Sequence, residues 1–481
     1  MKELEYPFDA AYIIKKRKSL KKALLADGTS RIRKKIAVFG GSTTSDIVKT
    51  LELFLLDAGI EPEFYESEYA QYFQDAMFPD ETLLSFKPDI VFIHTTNRNV
   101  TNWPEMTDTT EQIDEKLHTE INRFTAMWKS IAGKFHCPII QNNFEMPLYR
   151  LLGSRDAWDI HGRTNFLTRL NEAFYAYARE NESFYIHDLN FVSADYGLKE
   201  WSNPLFWNMY KYAMCFEAIP SFAFSVSHII KSIFGKNKKA LALDLDNTLW
   251  GGVVGDDGVD GIEIGQETGV SQSYYEFQTY VKQLKSLGIV LTVCSKNDHE
   301  NAIAGLNHPE GALRPDDFVI IKANWENKDR NIAETAAELN ILPDSIVFAD
   351  DNPAEREIVR TQIKGAAVPD MDGVENYITT IDRSGFFEVT TFSEDDLKRN
   401  EMYKKNALRA AEMASFGDYN DYLKSLEMHA VIDDFIPVYL ARITQLTNKS
   451  NQFNVTTRRY TPAEMESVFE DDGYIRLYGK L

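Results

Sequence analysis

The sequence predicts an α/β protein: two consecutive doubly wound parallel-sheet units, then a partial α+β segment. Three observations predict this. The chain has 481 residues, too many for one compact core at roughly 150 residues per domain. Its apolar residues gather into short continuous runs that end in small or polar residues and lie a helix length apart, as strands buried on both faces do. That pattern stops after Ser393, where a polar, helix-forming stretch takes over.

Taken in order, the chain opens with MKELEYPFDAAYIIKKRKSLKK. Its basic cluster follows a short apolar stretch and no small-residue cleavage site appears, so it does not read as a signal peptide. Lys15 to Lys35 holds ten Lys and Arg against Asp27 alone, a docking surface for an acidic partner or, more simply, a solvated helix face. Strands are expected at IAVFG (36–40), DIVFIH (89–94), PIIQ (138–141) and FYIHD (184–188). The polar stretch GKNKK (235–239) marks a boundary. A second series follows: ALALD (240–244), IVLTVCS (289–295), FVIIK (318–322), SIVFAD (345–350) and AAVP (366–369). The domains are thus expected at 1–235, including an N-terminal helix, and at 236–392, with a linker helix over 393–428. The last segment, 429–481, reads as strand, helix, polar loop and helix, too small for an independent core and expected to pack on its neighbours.

Composition narrows the function classes. Fifty-two Lys and Arg against seventy-three Asp and Glu give a net charge of −21, which disfavours adhesion to nucleic acid or anionic lipid. No stretch approaches the roughly 20 apolar residues that span a bilayer. Cys137, Cys215 and Cys294 are too scattered for a disulfide framework or a zinc site. A cytoplasmic enzyme is the expectation.

The chemistry concentrates in the second unit. DLDNT (244–248) follows a strand, so Asp244 points into the crevice where open α/β sheets bind ligands, with Asp246 two residues on. Carboxylates so close repel unless a divalent cation neutralises them, and Mg2+ suits carboxylate and phosphate oxygens. Ser295 ends another strand and can bond phosphoryl oxygens. Lys328 can neutralise charge on a transferring phosphoryl group. Asp350 and Asp351 end a further strand and complete a metal set of Asp244, Asp246, Asp350 and Asp351. Asn247, Thr248, Lys296 and Asn297, beside these motifs, are candidates for substrate binding. Singly, each has a plainer reading: a helix cap at Asp246, a turn at Ser295 or at Asp350 and Asp351, a surface lysine at Lys328.

Together, their order and placement resemble the haloacid-dehalogenase superfamily. That resemblance implies Asp244 as nucleophile, Asp246 as acid and base, and Ser295, Lys328 and the Asp350–Asp351 pair as the remaining motifs, with Asp351 rather than Asp350 facing the metal. The surrounding phrases LDLDNTLWGGVVGDDGVDGIEIG, VCSKND, HPEG, ANWENKDRNI and FADDNPAEREIV resemble the FkbH-like proteins over about 240–370. The short insert with Trp250, Gly251 and Gly252 is similar to theirs and implies an open site without a large cap, suited to an acyl carrier protein. The resemblance further implies a substrate such as 1,3-bisphosphoglycerate, a glyceryl thioester and transfer to the carrier. Cys294 is then the candidate acyl acceptor, with Lys296 lowering its pKa; otherwise it is a buried core cysteine.

The flanking units carry weaker resemblances. IAVFGGSTT places Ser42 where SGNH hydrolases have their serine, and FIHTTNRN places Asn97 at the later asparagine. No DxxH pair is found, so binding or orientation is expected there rather than esterase activity. ITQLTNKSNQFNVTTRRYT (443–461) resembles the start of an acetyltransferase-like domain, expected to be truncated and inactive for want of a pyrophosphate loop. Three readings stay open: an acyl-phosphate processing enzyme working with a carrier protein, a plain small-molecule phosphatase, and a non-catalytic docking scaffold.

Overall fold

The computed structural model of the protein describes residues 1–415, 427–449, 456 and 458–480. The described residues form two wholly parallel sheets and one antiparallel ribbon. The first sheet has strands β1 (Ile32–Gly40), β2 (Ile60–Glu66), β3 (Ile90–His94), β4 (Ile139–Asn142) and β5 (Phe184–His187) in the order β2-β1-β3-β4-β5. The second has β6 (Ala240–Leu243), β7 (Val290–Ser295), β8 (Ile320–Ala323) and β9 (Ile346–Ala349) in the order β8-β7-β6-β9. β10 (Val431–Asp434) pairs antiparallel with β11 (Leu477–Lys480).

Strand alternation explains why the sheets are apolar throughout. In β1, Ile36 and Val38 pack with helices α1 (Ala10–Ala26), α2 (Ser45–Asp57) and α3 (Ile219–Ile233), whereas Ala37 and Phe39 face the opposite core beside Phe124, Trp128 and Phe174. In β6, Leu241 and Leu243 face α4 (Gly269–Ser286), and Ala240 and Ala242 face α5 (Lys328–Glu338). Small residues lie on the second face because the helix there packs close.

Two sequence expectations change. β2 was not anticipated: IEPEFYE interleaves charges and a proline, a pattern a strand tolerates at a sheet edge, and it pairs only with β1. AAVP forms no strand; one bridge, Val347 to Ala367, is all that joins it to β9. The 235–239 stretch is fastened rather than free, with the Lys238 ammonium donating to the carbonyls of Asp344 and Gly365 at 2.6 and 2.9 Å. The start of α6 (Glu394–Ser415) packs on the second unit through Asn400, whose amide donates to the carbonyls of Lys285 and Ile289 at 3.1 Å. In the last segment α7 (Leu440–Lys449) and α8 (Pro462–Glu470) stand where helices were expected, β11 is additional, and most of the expected polar loop lies outside the described residues. Among the described residues no helix is long and apolar enough to cross a membrane.

Candidate active site

The carboxyl ends of β6, β7 and β9 converge with the start of α5. Asp244 follows β6, and its backbone N–H donates to the Ala349 carbonyl at 3.0 Å, which sets it beside the end of β9. The chain then turns sharply: Leu249 N donates to the Leu245 carbonyl at 2.7 Å, and Asn247 adopts a φ of +55°. Asparagine tolerates that left-handed conformation because its side chain bonds locally. Here its Oδ1 accepts from Gly252 N at 3.0 Å, while its carbonyl accepts from the hydroxyls of Tyr274 and Tyr377 at 3.3 and 3.1 Å.

That turn brings both motif aspartates to the crevice in different states. Oxygens of Asp244, Asp350 and Asp351 all lie within 4.8 Å of one another. Lys328, at the first position of α5, reaches Asp244 at 3.0 Å and Asp350 at 2.6 Å. One buried cation therefore bridges two of the three carboxylates. Burial opposes the charge of Lys328, but the two carboxylates outweigh it and raise its pKa. Asp350 is pushed up to about 6 by burial and by the Asp244 charge, against the pull of Lys328. Burial and Asp244 also raise Asp351. The second oxygen of Asp244, Oδ1, is buried without a hydrogen-bond partner. A buried anionic oxygen left unpaired is costly, and a hard cation or a phosphoryl group is what three convergent carboxylates and that oxygen fit.

Asp246 stands apart from this cluster. Its Oδ1 accepts from the Trp250 indole at 2.9 Å and from Val254 N at 3.0 Å, and its Oδ2 accepts from the Asn297 amide at 2.9 Å. Its carboxyl is raised by burial, with Asp244 adding to the shift and the Val254 and Trp250 donors opposing it. The expectation that the Asp246 side chain joins the metal set is therefore corrected: three donors already hold it elsewhere.

The remaining candidates distribute unevenly. Ser295 is buried at the end of β7, and Thr248 touches Asp351 through two contacts of 3.1 and 3.4 Å. Asn297 holds Asp246, and Asn247 holds the turn. Lys296 is paired with Glu355 at 2.7 Å. For Cys294 the structure fits the buried-core reading rather than the acyl-acceptor one. Strand alternation turns it away from Ser295 into the core with Ile332 and Phe348, and its thiol donates to the Lys328 carbonyl at 3.6 Å. Burial raises its pKa, against the nearby Lys328 charge, which is the reverse of what an acyl-accepting thiolate needs.

Several contributors escaped sequence reasoning. Trp250 positions Asp246. Arg356 is buried and donates to the carbonyls of Asp350 and Asp351 at 3.0 and 2.7 Å, fixing the β9 turn. The only signal for it was a basic residue on the first turns of a helix after DDNP.

In the first unit, the Ser42 hydroxyl is buried without a hydrogen-bond partner. Among the described residues no base is hydrogen-bonded to it. Thr43 beside it is occupied by the carbonyls of Lys211 and Tyr210 at 3.0 and 2.7 Å. The histidines His94 and His187 are both tied to Asn142 at 2.8 Å. Asn97 donates to the carbonyls of Glu145 and Met146, and it is Asn99 that reaches the Ser42 turn, through Gly41 O at 2.9 Å.

Fold and site thus define an α/β protein of two parallel sheets, the second bearing a carboxylate–lysine centre at its carboxyl end. The chain belongs to the FkbH family: the family model described as FkbH, N-terminal domain, matches residues 35–231. A solved structure agrees, the N-terminal part of the protein BF1531 from Bacteroides fragilis, described as containing a phosphatase domain complexed with Mg. It is 30% identical, with a TM-score of 0.72, and the match covers 78% of this chain and 99% of that one. No curated protein matches the sequence.

Proposed function

We propose that this protein is a Mg2+-dependent phosphatase that works through an aspartyl phosphate on Asp244. The observation that carries the reading is the state of Asp244: one oxygen on Lys328 at 3.0 Å and the other buried and unpartnered beside Asp350 and Asp351. The solved relative described as a Mg-bound phosphatase domain supports the metal. Asp244, Asp350 and Asp351 would hold the ion, with Asp351 freer than Asp350, whose oxygens already accept from Lys328 and from Asn352 N at 2.8 Å. When bound, Mg2+ supplies charge neutralisation for the phosphoryl oxygens.

In this reading Asp244 Oδ1 forms the new bond to phosphorus as the bond to the leaving oxygen breaks, and Asp246 gives its proton to that oxygen. Asp246 then takes a proton from the water that attacks the aspartyl phosphate, which releases inorganic phosphate and restores Asp244. Trp250, Val254 and Asn297 orient Asp246 for both transfers. Lys328 and Ser295 stabilise the phosphoryl charge.

The finer reading, a glyceryl unit taken from 1,3-bisphosphoglycerate onto Cys294 and passed to an acyl carrier protein, rests on family resemblance. The buried, raised thiol of Cys294 speaks against that residue as the acceptor. The discriminating experiment is phosphate release with and without Mg2+ in wild type, Asp244→Asn and Cys294→Ala. Metal-dependent release that vanishes in the first variant and persists in the second supports the phosphatase. Release unchanged in Asp244→Asn refutes it.

A further inference from the structure

Two of the three candidate metal carboxylates are fixed by bonds to their own oxygens. Asp244 accepts from Lys328 at 3.0 Å, and Asp350 accepts from Lys328 at 2.6 Å and from Asn352 N at 2.8 Å. Asp351 is different. Among the described residues its carboxylate has one side-chain partner, Thr248 Oγ1, at a long 3.4 Å. Its place beside Asp244 is therefore set by the backbone that carries it.

That backbone is held by three hydrogen bonds. Asp351 N donates to Thr248 Oγ1 at 3.1 Å. A single nitrogen of Arg356, Nη1, donates to the Asp350 carbonyl at 3.0 Å and to the Asp351 carbonyl at 2.7 Å. Peptide units are planar, so two successive carbonyls turned to one donor constrain the dihedrals of Asp351, and with them the direction in which its side chain leaves the turn.

The guanidinium is placed there at a cost. Arg356 is buried, and its Nε has no hydrogen-bond partner. An unmet donor on a buried charge opposes folding, so helix packing alone would be served better by an apolar residue. Its anchors lie on one segment: Nη2 donates to Asp372 Oδ1 at 3.0 Å, and the Asp370 carboxylate stands 3.7 Å from Nε. The same segment reaches the other carboxylate turn, where the Tyr377 hydroxyl donates to the Asn247 carbonyl at 3.1 Å. Met371 and Tyr377 are buried in the core of the unit. Residues 370–377 thus brace the turn after Asp244 directly and the turn at Asp351 through Arg356.

We infer that Arg356, anchored by Asp372, is a positioning residue for the metal ion. Through the backbone of Asp350 and Asp351 it keeps an Asp351 oxygen within 4.8 Å of oxygens of Asp244 and Asp350. The inference rests on the metal part of the phosphatase reading and adds the residues that set the ion's affinity. Arg356 touches neither ion nor substrate; it acts through Asp351.

The test is metal binding by the full chain, with Mn2+ as probe, read from the loss of the free-ion electron paramagnetic resonance signal, and Mg2+ as competitor. Asp244→Asn separates this site from adventitious binding to an acidic surface. Arg356→Lys keeps a cation but loses the planar guanidinium, and it should raise the dissociation constant of both ions about 10- to 100-fold. Asp372→Asn changes a side chain that is 78% exposed, and should raise it about threefold. Arg360→Gln lies on the same helix but bonds to Val368 and Asp370 rather than to the turn, and should leave it unchanged. Saturating Mg2+ should return kcat in Arg356→Lys close to wild type, because Asp246 is untouched. An arginine that only stabilises the fold would lower the melting temperature and leave the dissociation constant as it is; that result overturns the inference. Should Arg356→Lys fail to fold, Asp372→Asn decides, and an unchanged constant there overturns it equally. Wild-type binding that survives Asp244→Asn defeats the metal reading itself, whatever Arg356 does.

Discussion

At the residue scale the site is an arrangement of unequal carboxylates. Asp244 keeps an unpartnered buried oxygen, Asp246 has three donors, and Asp350 shares Lys328. Removing the cation from such a set leaves buried like charges facing one another. Lys328→Met should therefore destabilise the metal-free protein by about 3–5 kcal/mol, checked by urea unfolding, with added Mg2+ restoring part of it. Trp250→Phe keeps the ring in the core but removes a donor to the charged form of Asp246. Loss of that donor raises the pKa of Asp246 further, so the acidic limb of the rate profile for the hydrolytic step should move to higher pH. A limb that stays in place would show that the indole does not tune Asp246.

Glu145 in the first unit supplies a pH prediction of its own. Burial pushes its carboxyl up to about 8 from an ordinary 4.5, against hydrogen bonds from its own backbone and from Asn97 N. A raised folded-state pKa means the stability this group allows is complete below pH 4.5 and is lost as pH rises toward 8. At about 1.4 kcal/mol per pH unit, that loss is on the order of 3 kcal/mol by pH 7. Glu145→Gln should flatten the fall in melting temperature between pH 5 and 8. An unchanged slope would place the titration elsewhere.

At the element scale, the strand ends position the chemistry and the helices behind them set the tolerances. Gly305 lies against Trp250: a Cβ built there would come within 2.8 Å of the indole. Gly305→Ala should push the ring off Asp246, costing about 1–3 kcal/mol of stability and lowering kcat. Alternation along β7 decides the fate of Cys294 and Ser295, because neighbours on a strand face opposite sides. Adjacency in sequence suggested that both serve one site. The strand period separates them, and that period was legible beforehand. The motif strands, the Asp244 turn and Lys328 could likewise be read from apolar runs that end in chemistry-bearing residues. β2 could not, since an edge strand carries no continuous apolar run. The roles of Trp250 and Arg356 could not either, because they depend on side-chain contacts that no apolar run announces.

At the scale of the whole molecule, the two parallel-sheet units are joined by contacts that span them. Ser232 on α3 donates to the Glu388 carbonyl at 3.0 Å, and Arg383 pairs with Asp195 at 2.8 Å. The exposed ion pair contributes at most about 1 kcal/mol. The closer junction is Gly385, with φ of +57°, where a Cβ would lie 2.0 Å from the His228 ring of α3. Gly385→Ala should break the fit and split one calorimetric transition into two; a single unshifted transition would show that the junction yields without cost.

The central claim is that Asp244 carries the phosphoryl group. The most direct measurement is acid-quenched peptide mass spectrometry after mixing the protein with Mg2+ and benzyl phosphate. The account predicts a phosphorylated peptide containing Asp244 that is labile to hydroxylamine, as an acyl phosphate is, and absent from Asp244→Asn. Phosphate release with no such peptide, or with the phosphoryl group on another residue, would contradict it.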